Sequence, residues 1–342
     1  MWLCGHILAV YFVVLCRQGT RMYVDHVTSQ GSAAGCSGSS AAGIRGAVRP
    51  PVAGRVRRYP SDMRDAEWAL IAPLLPVPAC RTVRGGRPEV HDRRAIVDAI
   101  RYLVDNGCKW RALPADFPPW RTVYGFLTRW ARAGVLARIR DVLRSMIRLR
   151  AGYNPQPTAA IIDSQSVRAA ETVARTARGY DAGKKINGRK RTVVVDLGGW
   201  PLLVMVTSAG LQDRDIAREL LLRLHLCHPQ LPTVWADGAY RGALLGWAAR
   251  RLDLHLQIVT RKPGERGFVV LPRRWVVERT LSWLSRARRT VRDYEGLAEN
   301  SEAVLTWAAV TLMTRRLTQT RAAHSARGTL GRDRSTSAPR HP

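Results

Sequence analysis

The chain has 342 residues, of which 46% are hydrophobic and 24% charged, a composition that excludes an entirely disordered protein. Its net charge is +29, and the two ends hold only +6 (residues 1–60) and +4 (residues 318–342), so that +19 remains on residues 61–317. A folded body with this excess predicts an anionic partner, either nucleic acid or an anionic membrane surface, and of the two we favour nucleic acid.

The N-terminal stretch predicts no part of the folded body. Its apolar run at 7–16 is too short to cross a bilayer as a helix. A signal peptide would need a positively charged segment before this run, but no Lys or Arg precedes Arg17. Sequence rich in Gly, Ala and Ser follows. We interpret residues 1–58 as a disordered leader or an over-long start, with an export signal as the alternative, and residues 318–342 as a disordered basic tail.

Residues 59–150 predict a small all-α domain. Ser61 can cap a first helix that begins at Asp62. Three more helices are expected, at about 92–106 (with Gly107 as its stop), 121–133 and 135–150. Basic faces on the later helices are formed by Arg121, Arg129, Arg132, Arg138, Arg140, Arg144 and Arg148. These faces predict a DNA-binding module, and the alternative is a solvated face on an all-α packing domain.

Residues 155–317 predict an α/β domain, because the apolar periodicity changes from helical spacing to short strands. Strands are expected at 159–162, 192–195, 200–206, 233–236 and 255–259. Helices are expected at 213–226, 243–252 and 273–289. The second and third strands are close enough in sequence to form a hairpin. The later alternation of strand and helix predicts a sheet with helices packed on it.

Three acidic residues occupy positions that suggest a site. Asp163 is expected to end the first strand and Asp237 the fourth, while Glu278 lies in the last helix, one turn after Arg274. Strand ends lie at the rim of a sheet, where ligands of open α/β sheets bind. Each acid could instead be a turn residue or part of a solvated helix face. The competing acids Asp196, Asp213 and Asp215 are interpreted as turn or helix-cap residues.

A cluster of three carboxylates needs a positive charge among its oxygens, because like charges repel. Hard oxygen ligands favour Mg²⁺ or Mn²⁺, and two such ions support in-line phosphoryl transfer. The six cysteines are scattered without paired spacing, so neither zinc nor a disulfide framework is predicted and a reducing cytoplasm is favoured.

Seven segments between residues 60 and 317 resemble bacterial insertion-sequence transposases of the DDE type, in the group that includes insertion sequence five. In chain order they are MRDAEWALIAPLLP, KWRALPADFPPWRTVYGFLTRW, IIDSQSVRAAE, RGYDAGKKINGRKRTVVVD, VWADGAYRG, RRWVVERTLSWLSRARR and RDYEGLAENSEAVL. Several motifs in one order are far more specific than any one of them.

The resemblance implies a ribonuclease-H-like catalytic domain, with a mixed sheet and flanking helices, behind a helical domain that binds terminal inverted repeats. It places the family's acidic triad on Asp163, Asp237 and Glu278, with two Mg²⁺ or Mn²⁺ ions. It also implies hydrolysis at the element ends, transfer of the freed 3′-OH into target DNA, and a homodimer on double-stranded DNA.

Transposases of the wider group carry Tyr, Arg, Glu and Lys at fixed intervals around the last acid. Arg274 stands at the expected Arg position, but Leu271 and Ser285 occupy the Tyr and Lys positions. These departures bear on DNA contacts more than on the metal site. Arg279 or Arg286 could substitute as a contact to the phosphate backbone.

A basic run after the first catalytic strand predicts a loop that grips DNA beside the metal site, because cations neutralise phosphates. It comprises Lys184, Lys185, Arg189, Lys190 and Arg191. The alternative is a solvated hairpin tip. The tryptophans Trp235, Trp275 and Trp283 each lie in an apolar stretch and are predicted to be core anchors.

We therefore expect a DNA transposase that acts in the cytoplasm near the nucleoid and has no membrane partner. Two alternatives stay open: a DNA-binding regulator without catalysis, and a domesticated nuclease relative that cuts DNA without joining it.

Overall fold

A computed structural model describes residues 56–83, 85–260 and 273–319. Most of the predicted leader, nearly all of the predicted basic tail, and Leu271 lie outside the described residues. No helix within the described ranges has the length and the apolar run that crossing a bilayer needs.

The first described part of the chain is helical, as predicted. Its helices are α1 (Asp65–Ile71), α2 (Arg93–Asn106), α3 (Trp120–Arg132) and α4 (Val135–Arg150). Helix α1 starts later than expected, because the Asp62 carboxylate accepts hydrogen bonds from the backbone of Arg58 (3.0 Å) and Tyr59 (3.2 Å) and so closes a turn. Helix α2 ends at Gly107 as predicted, with φ +70°, where an added Cβ would meet Arg288 at 3.0 Å.

The sheet that follows has six strands. They are β1 (Ala159–Arg168), β2 (Gly179–Asp181), β3 (Ile186–Asp196), β4 (Pro201–Ser208), β5 (Thr233–Ala236) and β6 (His255–Ile258). The order is β4-β3-β1-β5-β6, with β2 paired to the beginning of β3. Strand β1 is antiparallel to β3 and parallel to β5. The sheet is therefore mixed, as predicted.

Helices cover both faces of the sheet. Helices α5 (Asp213–Cys227) and α6 (Ala243–Leu252) share one core with Ile162 and Val194, whereas Ile161 belongs to the core of the other face. This alternation follows from the two-residue period of a strand.

A long helix, α8 (Ala298–Thr318), is an element that the sequence analysis did not predict. Its side chains are buried on nearly all sides, so it lacks the apolar stripe that marks an amphipathic helix. It packs against α2, α3, α4 and β4, and its Trp307 is fully buried in the larger core. The early helices and one face of the sheet therefore share a hydrophobic core.

Three predicted boundaries in the α/β part were wrong, the first being that of β3, which begins at Ile186 and not at residue 192. Strand β1 does not end at Asp163 but runs to Arg168, because residues 163–168 pair with Gly188–Val193 of β3. Helix α7 (Arg274–Leu284) ends earlier than expected and is followed by a short 3₁₀ turn at Arg288–Thr290. The bounds predicted for β5 and α6 are those observed.

Candidate active site

Asp163 and Asp237 come together because of the register between β1 and β5. Their parallel pairing is last seen between Ile161 and Trp235, and the two aspartates stand two positions further along each chain. Each carboxylate is held by its local backbone. Asp163 Oδ1 accepts from the N–H of Ser164 (2.8 Å), and Asp237 Oδ1 accepts from the N–H of Ala239 (2.9 Å).

Helix α7 brings the third acid and a guanidinium to the same place. Arg274 Nη2 lies 3.9 Å from Asp163 Oδ2, 3.8 Å from Asp237 Oδ2 and 3.6 Å from Glu278 Oε1. The three predicted acids therefore converge on one side chain. These distances are longer than hydrogen bonds, so the contact is electrostatic and leaves the oxygens open to a stronger cation.

The Arg274 guanidinium supplies the positive charge that three neighbouring carboxylates require. Within the described ranges, no three acidic, histidine or cysteine side chains are grouped closely enough to form a metal centre as they stand. The donor set itself consists of carboxylate oxygens alone, the ligands that Mg²⁺ and Mn²⁺ prefer. In its chemistry the site therefore fits a divalent cation.

The three acids differ in exposure: the side chains are 13% exposed for Asp163, 27% for Asp237 and 53% for Glu278. Burial raises the pKa of Asp163 to about 6, and the nearby Asp237 adds to this rise. The Ser164 N–H and the Arg274 charge oppose it. Asp163 is thus an acid whose protonation state changes near physiological pH, a common feature of functional sites.

A polar group behind Asp163 was missed from the sequence. Ser164 Oγ donates to Asp213 Oδ1 (2.7 Å), and Lys190 Nζ lies 3.2 Å from the same oxygen. Asp213 was predicted to be a turn or cap residue, but Gln212 is the N-cap of α5 and Asp213 faces the sheet. Ser164 and Asp213 are 49 positions apart in sequence, so no local pattern could reveal this contact.

The five residues of the predicted basic run, between positions 184 and 191, lie in two different structural settings. Lys184 and Lys185 lie in the exposed turn between β2 and β3, and Lys184 Nζ donates to the carbonyl of Ser164 (3.2 Å). Lys184 therefore stands at the edge of the carboxylate cluster, since Ser164 follows Asp163 directly.

The other three residues of the run correct the prediction of a DNA-gripping loop. Arg189, Lys190 and Arg191 are buried within β3. Arg189 Nη1 donates to the carbonyl of Glu295 (2.8 Å), Lys190 Nζ donates to that of Leu211 (2.7 Å), and Arg191 donates to that of Thr290. Their cationic groups bind protein oxygens in the interior, so the expected DNA contacts at these three positions are wrong.

The basic faces of the early helices are also smaller than predicted. Arg140 and Arg144 are buried and pair with Asp141, while Arg148 pairs with Asp196 (2.9 Å). Three arginines of the predicted faces remain exposed without an ion pair among the described residues: Arg121, Arg129 and Arg138.

The three tryptophans that were predicted to be core anchors differ in burial. Trp235 is buried, as predicted, whereas Trp275 is 43% exposed and Trp283 half-buried. Trp275 and Trp283 flank Arg279, whose guanidinium carbon lies 4.6 Å and 4.4 Å from their ring centres.

A mixed sheet with helices on both faces and carboxylates gathered beside its central strands defines an α/β protein with an acidic site. Residues 154–313 match the transposase DDE domain, a range that includes all three acids, and residues 63–140 match transposases of the IS4/5 family. An uncharacterized 16.2 kDa protein of insertion element IS402 from Burkholderia cepacia is 36% identical over 108 residues, which are 31% of this chain and 71% of that protein.

The chain belongs to the DDE transposases of insertion sequences, in the IS4/5 family. It is an enzyme that acts on DNA, and its DDE domain implies a ribonuclease-H-like fold and the use of divalent metal ions. The resemblance seen in the sequence is confirmed.

Proposed function

We propose that Asp163, Asp237 and Glu278 are the catalytic acids of this transposase and hold two divalent cations, Mg²⁺ or Mn²⁺. The observation that carries this assignment is the convergence of all three carboxylates on the single guanidinium of Arg274. Acids from a strand interior, a strand end and a helix have no structural need to face one another. Their convergence supports a shared cation.

The proposed reaction has two steps at the same site. Water hydrolyses a phosphodiester at an element end and frees a 3′-OH, and this hydroxyl then attacks a phosphodiester of the target DNA. When bound, two divalent cations would stabilise the charge on the phosphate and on the attacking and leaving oxygens. The protein needs no covalent nucleophile, because positioning and charge neutralisation supply most of the acceleration.

The side chains around the acids have distinct roles in this proposal. The backbone hydrogen bonds to Asp163 and Asp237 fix those carboxylates, while the more exposed Glu278 can adjust to the bound DNA. Lys184 stands beside the acids in an exposed turn that also holds Lys185, and both lysines would contact the strand being cut. Arg274, released from the carboxylates, would contact a phosphate of the same strand.

We further propose that α1–α4 bind the terminal inverted repeats through the arginines that stay exposed there. Because two element ends must be joined to one target, the active form would be a homodimer on double-stranded DNA. It would work in the cytoplasm, at the nucleoid.

The test uses a duplex that carries one element end, incubated with the full-length enzyme and Mg²⁺. We expect nicks that leave a 3′-OH at the end, followed by products joined to a target plasmid. Nicks without joined products would identify a nuclease that does not transfer strands. Binding without nicks would identify a regulator and overturn the proposal.

A further inference from the structure

A cavity of about 740 Å³, lined by none of the three proposed catalytic acids, lies between α4, α7, α8 and the turn that joins β3 to β4. Its walls are rich in arginine and contain the aromatic rings of Tyr153, Trp200 and Trp283. The arginines that line it are Arg148, Arg279, Arg286, Arg315 and Arg316. They come from three separate helical segments, so the fold collects them in one place.

The lining of this cavity contains little negative charge to balance its five arginines. Its one acid is Asp196, which is fully buried. Asp196 Oδ2 pairs with Arg148 (2.9 Å), and its Oδ1 accepts from the backbone N–H groups of Gly198 and Trp200 (2.9 Å each). This carboxylate is therefore already used by the β3–β4 turn and by one arginine.

Three of the other guanidinium groups have no such partner. Among the residues that the structure describes, the guanidinium groups of Arg286, Arg315 and Arg316 make no hydrogen bond or ion pair to protein. Arg286 and Arg316 are exposed and Arg315 is half-buried. Cations held side by side at a cavity wall repel one another unless an anion lies between them.

The fourth, Arg279, is held rigidly at the wall. It is stacked on Trp275 and Trp283, and its Nη2 donates to the carbonyl of Gly198 (2.9 Å). Arg279 also follows Glu278 directly on α7, so this helix connects the cavity wall to the carboxylate cluster.

We propose that this cavity binds the sugar–phosphate backbone of duplex DNA and that Arg286, Arg315 and Arg316 each neutralise a phosphate. The proposal rests on the proposed function, because it takes the substrate of the carboxylate site as its ligand. Guanidinium groups from separate elements suit successive phosphates, whereas a small single anion would need only one or two of them. Contacts from these arginines to phosphate oxygens would add affinity without reading base sequence.

The test measures the salt dependence of DNA binding with no divalent metal present. Fluorescence anisotropy of an unrelated 30-base-pair duplex gives log K against log salt for the full-length protein. Each phosphate contact contributes about 0.9 to the slope, so Arg315→Gln/Arg316→Gln should lower its magnitude by about 2 and Arg286→Gln by about 1. The matched control is Arg250→Gln/Arg251→Gln, which removes the same charge from the exposed end of α6 and should leave the slope unchanged.

Three results would overturn the proposal. The first is an unchanged slope in the cavity variants, and the second is an equal drop of the slope in the α6 control. The third is that the cavity variants lose binding to anionic lipid vesicles but bind DNA as the parent protein does. Unfolding temperatures within a few degrees of the parent protein exclude a folding defect, and Arg286→Gln gives an independent readout if the double variant is unstable. Asp163→Asn should keep the full slope. The two proposals are therefore tested separately: the cavity proposal can be overturned while the assignment of the catalytic acids holds, and the assignment can be overturned while the cavity proposal holds.

Discussion

Arg274 Nη2 lies 3.6 Å from Glu278 Oε1, one helical turn further along α7, and the same nitrogen is within 3.9 Å of both aspartates of the sheet. An arginine and a glutamate at this spacing usually form a surface pair of small energy. Here the guanidinium also reaches two carboxylates from another part of the chain. Arg274 is thus the counter-ion of the whole cluster, and any cation that binds these oxygens must compete with it.

Replacing Asp163 tests the acid that is most buried. Asp163→Asn should lower DNA cleavage by more than about 100-fold, since losing only the groups that support metal ligands already costs 10- to 100-fold. DNA binding should be retained, because that carboxylate makes no attractive contact to phosphate. Cleavage is measured on end-bearing DNA in Mg²⁺ and binding by anisotropy. The control is Asp215→Asn, an exposed acid on α5. Nicking by Asp163→Asn at the parent rate would remove this residue from the mechanism.

Removing the counter-ion should change the response to metal. Arg274→Gln leaves three carboxylates without a nearby positive charge, so the metal-free protein should lose about 1 kcal/mol of stability. Mn²⁺ should then raise the unfolding temperature more in this variant than in the parent protein, because no guanidinium competes for the oxygens. Arg250→Gln, on the exposed end of α6, serves as the charge-matched control. Equal Mn²⁺ shifts in all three proteins would show that Arg274 and the metal do not share these oxygens.

Metal binding should depend on pH through Asp163. Because the pKa of this carboxyl is raised to about 6, the group is neutral below that pH and charged above it. A neutral carboxyl is a poor ligand, so Mn²⁺ affinity should fall as the pH drops through about 6, well above the ordinary aspartate range. Calorimetric titration from pH 5 to 8 measures this. Asp163→Asn should bind more weakly and lack the transition near pH 6. A flat profile in the parent protein would contradict the assignment.

Glu302 predicts a separate pH effect on stability. Burial against β4 raises its pKa to about 7 from an ordinary value of 4.5, while its Oε1 accepts from the N–H of Val206 (2.8 Å). The folded protein thus holds this proton more tightly than the unfolded chain. Stability should therefore fall as the pH rises from about 4.5 to about 7, by at most about 3 kcal/mol, and stay level above.

The neutral isostere removes this titration. Glu302→Gln keeps the acceptor for Val206 and should be more stable than the parent protein at pH 8 but not at pH 4.5, as measured by urea unfolding. The control is Glu299→Gln on the same helix, whose carboxylate is 42% exposed and pairs with Arg132. That change should cost no more than about 1 kcal/mol. A Glu302→Gln protein that is less stable than its parent at pH 8 would refute the expected cost of the buried charge.

Local pattern was sufficient for some elements and failed for others for identifiable reasons. Strand β5 was predicted correctly because a short apolar run lies between Pro232 and Asp237, both strong boundary residues. The burial of Arg189 and Arg191 could not be predicted, because their acceptors at Glu295 and Thr290 lie about 100 residues away along the chain. A run of basic residues has the composition of a loop until such partners are known.

The sequence likewise predicted some features of the candidate active site and not others. Placement at strand ends selected Asp163 and Asp237, placement in a neighbouring helix selected Glu278, and the family resemblance selected the same three acids, which the fold brings together. Asp163 was selected for a partly wrong reason, since it lies within β1 and only its parallel partner ends nearby. The guanidinium at the centre of the cluster follows from the register of β1 with β5 and from the position of α7, which no local pattern contains.

The claim that the three acids share divalent cations is tested most directly by diffraction from crystals of the enzyme bound to an element end and soaked in Mn²⁺, with anomalous scattering used to locate the metal. The account predicts anomalous peaks within coordination distance of the carboxylates of Asp163, Asp237 and Glu278, with Arg274 displaced towards a DNA phosphate. Peaks elsewhere, or none while Arg274 still bridges the three acids in the DNA complex, would contradict it.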